Sequence, residues 1–268
     1  MPNRHHRRVF VLAVVGSFVT GGAGCDPDRP PVASAPPAAS TTTVTSTTSS
    51  PATCVGQPVR VSFTPVSTTV EGATATYPVV RVEPVCAGLE GSALQHEVTA
   101  RVADARGDWT KTWQEQHADS PDGRGYFDAK AAVPVNVPGL VVVTIQSQTY
   151  TGGPYPNTTL GSVALNTSTG KVLTREAMLA ELQAAGGPGW NFERELRRAA
   201  HDALPSAADA VTGLQRDDVS FYPTEGGLAV SADGYFPHAV GPAHFTIPWS
   251  RLVGSGDDLS FVPDAWGH

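Results

Sequence analysis

Leu140-Val-Val-Val-Thr-Ile-Gln-Ser-Gln-Thr-Tyr150 is the stretch on which the fold turns. Val141, Val142, Val143 and Ile145 crowd β-branched side chains into one short run, and such residues fit the pleated surface of a sheet better than a helix. Pro138-Gly139 just before it marks a turn. Upstream of that turn a strand is expected over about Tyr126 to Val137. Downstream another covers Thr159 to Asn166 and closes at the hairpin-like turn Ser168-Thr169-Gly170-Lys171. Nearer the start, Val59 to Phe63 alternates apolar and polar residues, as on a half-buried strand. A further strand runs from about Thr74 to Val82. Pro78 within it has no N–H to give, which places that portion at an edge or a bulge.

Helices interrupt this β pattern. Leu94, Val98, Val102, Ala105, Trp109 and Trp113 recur at three- and four-residue steps and form one apolar helical face, a core stripe. Ser92 and Gln95 have capping-box spacing at its start, and the turn Ser120-Pro-Asp-Gly-Arg-Gly125 follows it. A second helix is expected from about Thr174 to Ala185, ended by Gly186-Gly187. A third runs from about Asn191 to Leu204 and stops at Pro205. Strands at about Val219–Tyr222 and Leu228–Ser231 flank the turn Glu225-Gly226-Gly227, and a last strand covers His244 to Ile247. The fold class is therefore α+β, an antiparallel sheet with a few helices packed on one side. No internal repeat is visible.

The first 53 residues speak of location. Arg4, Arg7 and Arg8 precede an apolar run from Val9 to Val19, then Gly21-Gly22-Ala23-Gly24 and Cys25. That is the layout of a signal peptide over residues 1–24, and its run is too short to span a bilayer core of roughly 30 Å as a helix. Cys25 is the expected lipidation site. Bacterial lipoproteins carry Leu or Val three residues before that cysteine, where this chain has Gly22; Ala23 and Gly24 fit. The alternative is ordinary signal-peptidase cleavage near Ala23. Asp26 to Thr53 is rich in Pro, Ala, Ser and Thr. Such a segment buries too little surface to offset the entropy of ordering and serves as a tether. As a coil it reaches about 30 Å, and drawn toward polyproline II about 85 Å. Thr41–Thr48 is a compositional candidate for O-linked sugar. The protein is thus expected at the outer face of the cell membrane, held by its lipid, or secreted if Cys25 is not modified.

Residues 54–268 are long enough for one large domain. Loss of Arg4, Arg7 and Arg8 leaves 15 basic against 25 acidic residues, so net charge falls from −7 to −10. An acidic body argues against nucleic-acid binding. It favours a cationic partner, although moderate acidity also serves solubility. With Cys25 assigned to the anchor, Cys54 and Cys86 remain. Two such cysteines in an exported chain are expected to pair. That loop would contribute roughly 3–4 kcal/mol.

Several short blocks then occur in a telling order. Tyr77-Pro78 comes first, followed by Tyr150-Thr-Gly-Gly-Pro-Tyr-Pro-Asn-Thr158 and Leu165-Asn-Thr-Ser-Thr-Gly-Lys-Val-Leu173. Val219-Ser-Phe-Tyr222, Phe236-Pro-His-Ala-Val-Gly-Pro242 and Phe245-Thr-Ile-Pro-Trp249 close the series. Over residues 74–252 the chain resembles a secreted bacterial family. That family includes the extracellular domain of the lysozyme-sensing anti-sigma factor RsiV, accessory domains of peptidoglycan deacetylases, and secreted immunogenic proteins of mycobacteria. The sequence departs from the family at Tyr155, where a histidine is common, at Asn166, where an aspartate is usual, and at Asp233, where a tyrosine is usual. The resemblance implies the fold first. It also makes a cationic, lysozyme-like protein or a cell-wall component the expected partner, with the membrane touched only through the lipid anchor. It implies neither anti-sigma action nor deacetylation.

No catalytic residues, metal ligands or cofactors are expected. A Gly-x-Ser-x-Gly elbow is missing, and Gly254-Ser255-Gly256 lacks the strand-to-helix setting a nucleophile needs. His96, His117, His201, His238 and His244 are scattered without zinc spacing, though His238 and His244 share a face if the closing strands pair. Asp119-Ser-Pro-Asp122-Gly lacks the later ligands of a calcium loop. The best candidate for binding is the loop bearing Tyr150, Gly152, Gly153, Tyr155 and Asn157. Glycines permit close backbone approach, and tyrosines offer amphipathic contact surfaces. The competing reading is a turn needed only for strand geometry. The expected role is a cell-envelope lipoprotein that binds through such loops. The alternatives are a hydrolase acting on envelope polymers or esters, and a structural surface antigen.

Overall fold

The computed structural model describes residues 59–83, 91–119, 124–152, 155–233, 235–236, 243–253 and 259–266. All of them belong to the compact unit Ser49–His268. The expected signal and tether, with Cys25, Cys54 and Cys86, lie outside the described residues. So do Gly153 of the candidate loop, His238 of the closing motif and Gly254-Ser255-Gly256.

Six strands form one sheet in chain order: β1 (Arg60–Val70), β2 (Ala73–Glu83), β3 (Tyr126–Val137), β4 (Leu140–Tyr150), β5 (Asn157–Asn166) and β6 (Lys171–Leu173). β3 and β4 form a hairpin closed by Pro138-Gly139, with Val137 opposite Leu140 and Gly139 at φ +93°. β4 is flanked along its length by β3 and β5. Its apolar run is covered on both faces, which is why it does not alternate. Val141, Val143 and Ile145 join Leu94, Val98 and Val102 of the helix α1 (Gly91–Asp119). Leu140 and Val142 face the other way, with Val135 and Ala164.

α1 carries the chain from β2 to β3, and those two strands run parallel, Thr74–Thr76 beside Tyr126–Asp128. This departs from the purely antiparallel sheet the sequence suggested. A helical crossover returns the chain in its original direction, where a tight turn would reverse it. The predicted stripe is otherwise in place: Leu94, Val98, Val102, Trp109 and Trp113 are buried. The side chain of Ser92 lies outside the described residues; the amide oxygen of Gln95 accepts the N–H of Val82 at 3.3 Å and ties α1 to the end of β2.

Prolines sit where the ladder spares them. Pro78 faces Pro65 of the edge strand β1, and β2 has already parted from β3 beyond Thr76. In an antiparallel pair, facing residues point their N–H groups both inward or both outward. Two prolines facing each other outward therefore cost no ladder bond. Pro134 falls in the β3 bulge, between Ala132 and Val135, where one extra residue shifts the register against β4.

A second sheet, β7 (Ser220–Thr224), β8 (Gly227–Ser231) and β9 (His244–Pro248), replaces the single sheet expected. Its inner face, with Phe221, Leu228, Val230, Phe245 and Ile247, packs on Leu196, Ala199 and Ala200 of α3 (Phe192–Ala203). Met178 and Leu182 of α2 (Arg175–Ala185) complete that core. The α+β class expected from the sequence holds, with α1 and α3 covering different sheets. The short helices α4 (Ala208–Val211) and α5 (Trp249–Leu252) had no sequence signal strong enough to predict them. α2 and α3 begin where expected, with Thr174 Oγ1 accepting Ala177 N–H at 3.1 Å and Asn191 Oδ1 accepting Arg194 N–H at 2.9 Å. Close packing dictates Gly227, where a Cβ would strike the Ile247 carbonyl oxygen.

Asn166 shows why this chain departs from an aspartate. It is 6% exposed. Its Oδ1 accepts the N–H groups of Ser168 and Thr169, both at 2.9 Å, and organises the turn. Its Nδ2 donates to the Ser260 carbonyl at 2.8 Å. A carboxylate keeps the first pair and turns the second contact into repulsion between two acceptors. Asn166→Asp should therefore lower stability at neutral pH by about 1–3 kcal/mol, read as a drop in the urea midpoint, while Asn166→Ala loses the turn bonds as well and falls at least as far.

Candidate functional site

The predicted loop joins β4 to β5. Gly152 has φ +110°, and a Cβ there would meet nothing within 4 Å. Glycine is needed for backbone conformation, not for space. Tyr150 is half-buried and built into the base of the hairpin. Its ring stacks on Tyr126 at 5.7 Å, and its carbonyl accepts the indole N–H of Trp109 at 3.3 Å. Tyr126 O–H in turn donates to Gln148 Oε1 at 3.2 Å. Asn157 is exposed and opens β5 opposite Thr149. Tyr155 is 61% exposed; among the described residues only Val79, at 50%, is also a markedly exposed large hydrophobic side chain. The structure therefore divides the predicted set. Tyr150 and Gly152 shape the loop, while Tyr155 and Asn157 present themselves to solvent.

A second concave feature escaped the sequence reading. Strand parity places Lys130, Gln146 and Leu160 in one row across β3, β4 and β5, with Ala132, Thr144 and Ser162 in the next. Tyr222, Ala229 and Thr246 form a row across β7, β8 and β9. These two faces enclose a cleft of about 480 Å3. Ser162 Oγ donates to the Phe221 carbonyl at 2.9 Å and pins the sheets together beside it. Thr144 is buried and Tyr222 half-buried, whereas Lys130, Gln146, His244 and Thr246 are exposed. Lys130 pairs with Asp128 at 3.3 Å. His244 Nε2 lies 3.7 Å from Asp233 Oδ2, whose side chain is only 4% exposed and whose oxygen has no hydrogen bond. Sequence reasoning missed this cleft because six strands from two sheets build it. The polar alternation of β9, with His244 and Thr246 outward, was its one visible trace.

A hollow of about 380 Å3 between α2 and α3 is lined by charges, of which Arg175 lies 3.5 Å from Asp217 and Arg216 3.8 Å from Glu193, while Arg175 Nη2 makes no hydrogen bond. Among the described residues no three His, Cys, Asp or Glu side chains are grouped to hold a metal ion. No described helix is long and apolar enough to cross a membrane.

No protein-family model and no curated protein matches the chain. Solved structures do. One is a DUF3298 family protein from Pseudomonas aeruginosa PAO1, 19% identical, covering 78% of this chain and 99% of its own, with a TM-score of 0.52. Another is a member of the same family from Bacteroides fragilis NCTC 9343, 14% identical, covering 75% and 95%, with a TM-score of 0.45. The first defines the class of fold: an α+β domain of the kind seen in DUF3298 proteins.

Burial pushes the Tyr222 phenol above its ordinary value. Tyr235 is raised as well, first by burial and then by Asp218, against the opposing pull of Arg197. The folded state then keeps these protons at a pH where the unfolded chain has lost them. Stability should be level below about pH 10 and fall as pH rises further. Tyr222→Phe should shallow that alkaline decline, read as the urea midpoint across about pH 8–11.

Proposed function

We infer that the chain is a cell-envelope lipoprotein of RsiV-like type whose domain binds a cationic, lysozyme-like protein through the β4–β5 hairpin tip. The observation that carries this is Tyr155, 61% exposed at the end of a hairpin. Its base is held by the Tyr150–Tyr126 stack and the Trp109 hydrogen bond. A rigid base beneath an exposed aromatic lowers the entropy lost when a partner docks. Tyr supplies large contact area at low cost in side-chain freedom. The mature charge of −10 speeds encounter with a basic partner. Cys25 anchors the tether, and Cys54 with Cys86 forms a disulfide near the start of the domain.

Titration of the full chain with lysozyme tests the partner. Removing an aromatic anchor costs about 2 kcal/mol or more, so Tyr155→Ala should weaken binding at least tenfold with an unchanged melting temperature. Equal affinity for the variant and the parent, or no binding by either, overturns the reading. The anchor has its own measurement. Cys25→Ser should move the protein from the detergent phase to the aqueous phase; wild-type protein already in the aqueous phase removes the lipid.

A further inference from the structure

We propose that the cleft between the two sheets is a binding site for a neutral, polyhydroxylated ligand, a short saccharide segment. It is separate from the hairpin tip and does not depend on it. Three observations carry the assignment.

The first is the kind of polar group presented. Thr144, Gln146, Tyr222 and Thr246 bring hydroxyls and a carboxamide to the cleft. No hydrogen bond within the described protein occupies these side chains. Each both donates and accepts, as neighbouring sugar hydroxyls do. Tyr222 adds a ring, half-buried in the cleft, that offers an apolar face beside its polar tip.

The second is charge. The two basic side chains at the mouth each lie beside a carboxylate, Lys130 3.3 Å from Asp128 on β3 and His244 3.7 Å from Asp233 just after β8. Lys130, the fixed cation among the lining residues, is thus already paired and leaves an anionic ligand no free positive charge. An anion brought here would be desolvated without a free cation to meet it.

The third is which part of the strands lines it. Sheet faces form the walls. The backbone N–H and C=O groups of β4 and β8, the central strands on either side, are spent in their ladders. β9 is an edge strand of its sheet and β3 has left β2 beyond Asp128, so an extended peptide, which is read mainly through the main chain of a sheet edge, is the competing ligand that the test includes. At β4 and β8 recognition comes from side chains and a ring. The small Ala132 and Ala229 leave room between the sheets, and about 480 Å3 lies within the range of small-ligand sites.

The test is calorimetric titration of the full chain with triacetylchitotriose and with maltotriose, two neutral trisaccharides that differ in their acetamido groups. A capped alanine tripeptide serves as competitor. The proposal expects at least one trisaccharide to bind. Tyr222→Phe keeps the ring and removes only the hydroxyl, and it should weaken binding by about tenfold. Thr246→Trp plugs the mouth from an exposed position and should abolish binding, with the thermal transition unchanged. Tyr155→Ala should leave saccharide affinity as in the parent, which separates this site from the hairpin tip. Failure of both sugars to bind, full affinity in Thr246→Trp, or displacement of the sugar by the tripeptide overturns the assignment.

Discussion

Burial of β4 on both faces is the constraint from which the rest of the structure follows. A strand made of Leu140, Val141, Val142, Val143 and Ile145 is unstable with either face in water, since each fully buried aliphatic side chain contributes about 1.5–3 kcal/mol. One face is covered by α1 through Leu94, Val98 and Val102. The other needs a second cover, and the elements after β6 supply part of it through Tyr222 and Trp266. The three-stranded sheet covers that face only in part. Where the cover ends, at Thr144 and Gln146, the strand turns polar and the cleft opens. A single change in the composition of β4 thus marks the border between core and site.

The same economy governs the margins of the sheet. An edge strand with free backbone groups invites pairing with another chain. Here β1 carries Pro65 at its middle, opposite Pro78, and Ser and Thr along much of its length. The end of β2 is closed by Gln95 from α1. Asn136 of β3 holds both the N–H and the carbonyl of Val59, at 3.2 and 2.7 Å, and fixes the chain as it enters β1. Polar side chains thus take up backbone groups at points where strand pairing stops.

The hairpin tip and the cleft divide two kinds of chemistry between them. The tip offers a large exposed aromatic on a stiff base, suited to a convex contact with another protein. The cleft offers neutral hydrogen-bonding groups between two sheets, with Lys130 paired to Asp128 at its mouth, suited to a thin ligand.

Local patterns were sufficient for most elements. β-branching marked β4, turn residues marked both of its ends, and Gly186-Gly187 and Pro205 marked the ends of α2 and α3, because each depends on neighbours within a few residues. The exposed Tyr155 and the conformational need at Gly152 were also legible as loop chemistry. What the sequence left open was long-range. Nothing local distinguishes a strand of the first sheet from one of the second, so two sheets were read as one. Nothing local shows that β2 and β3 run parallel, since only the path of α1 decides that. The cleft was invisible for the same reason: Gln146 and Tyr222 are 76 positions apart, each an ordinary polar-face residue of its own strand. They meet only because burial of β4 and the inner face of β7–β9 forces the two sheets together, leaving their polar faces opposed.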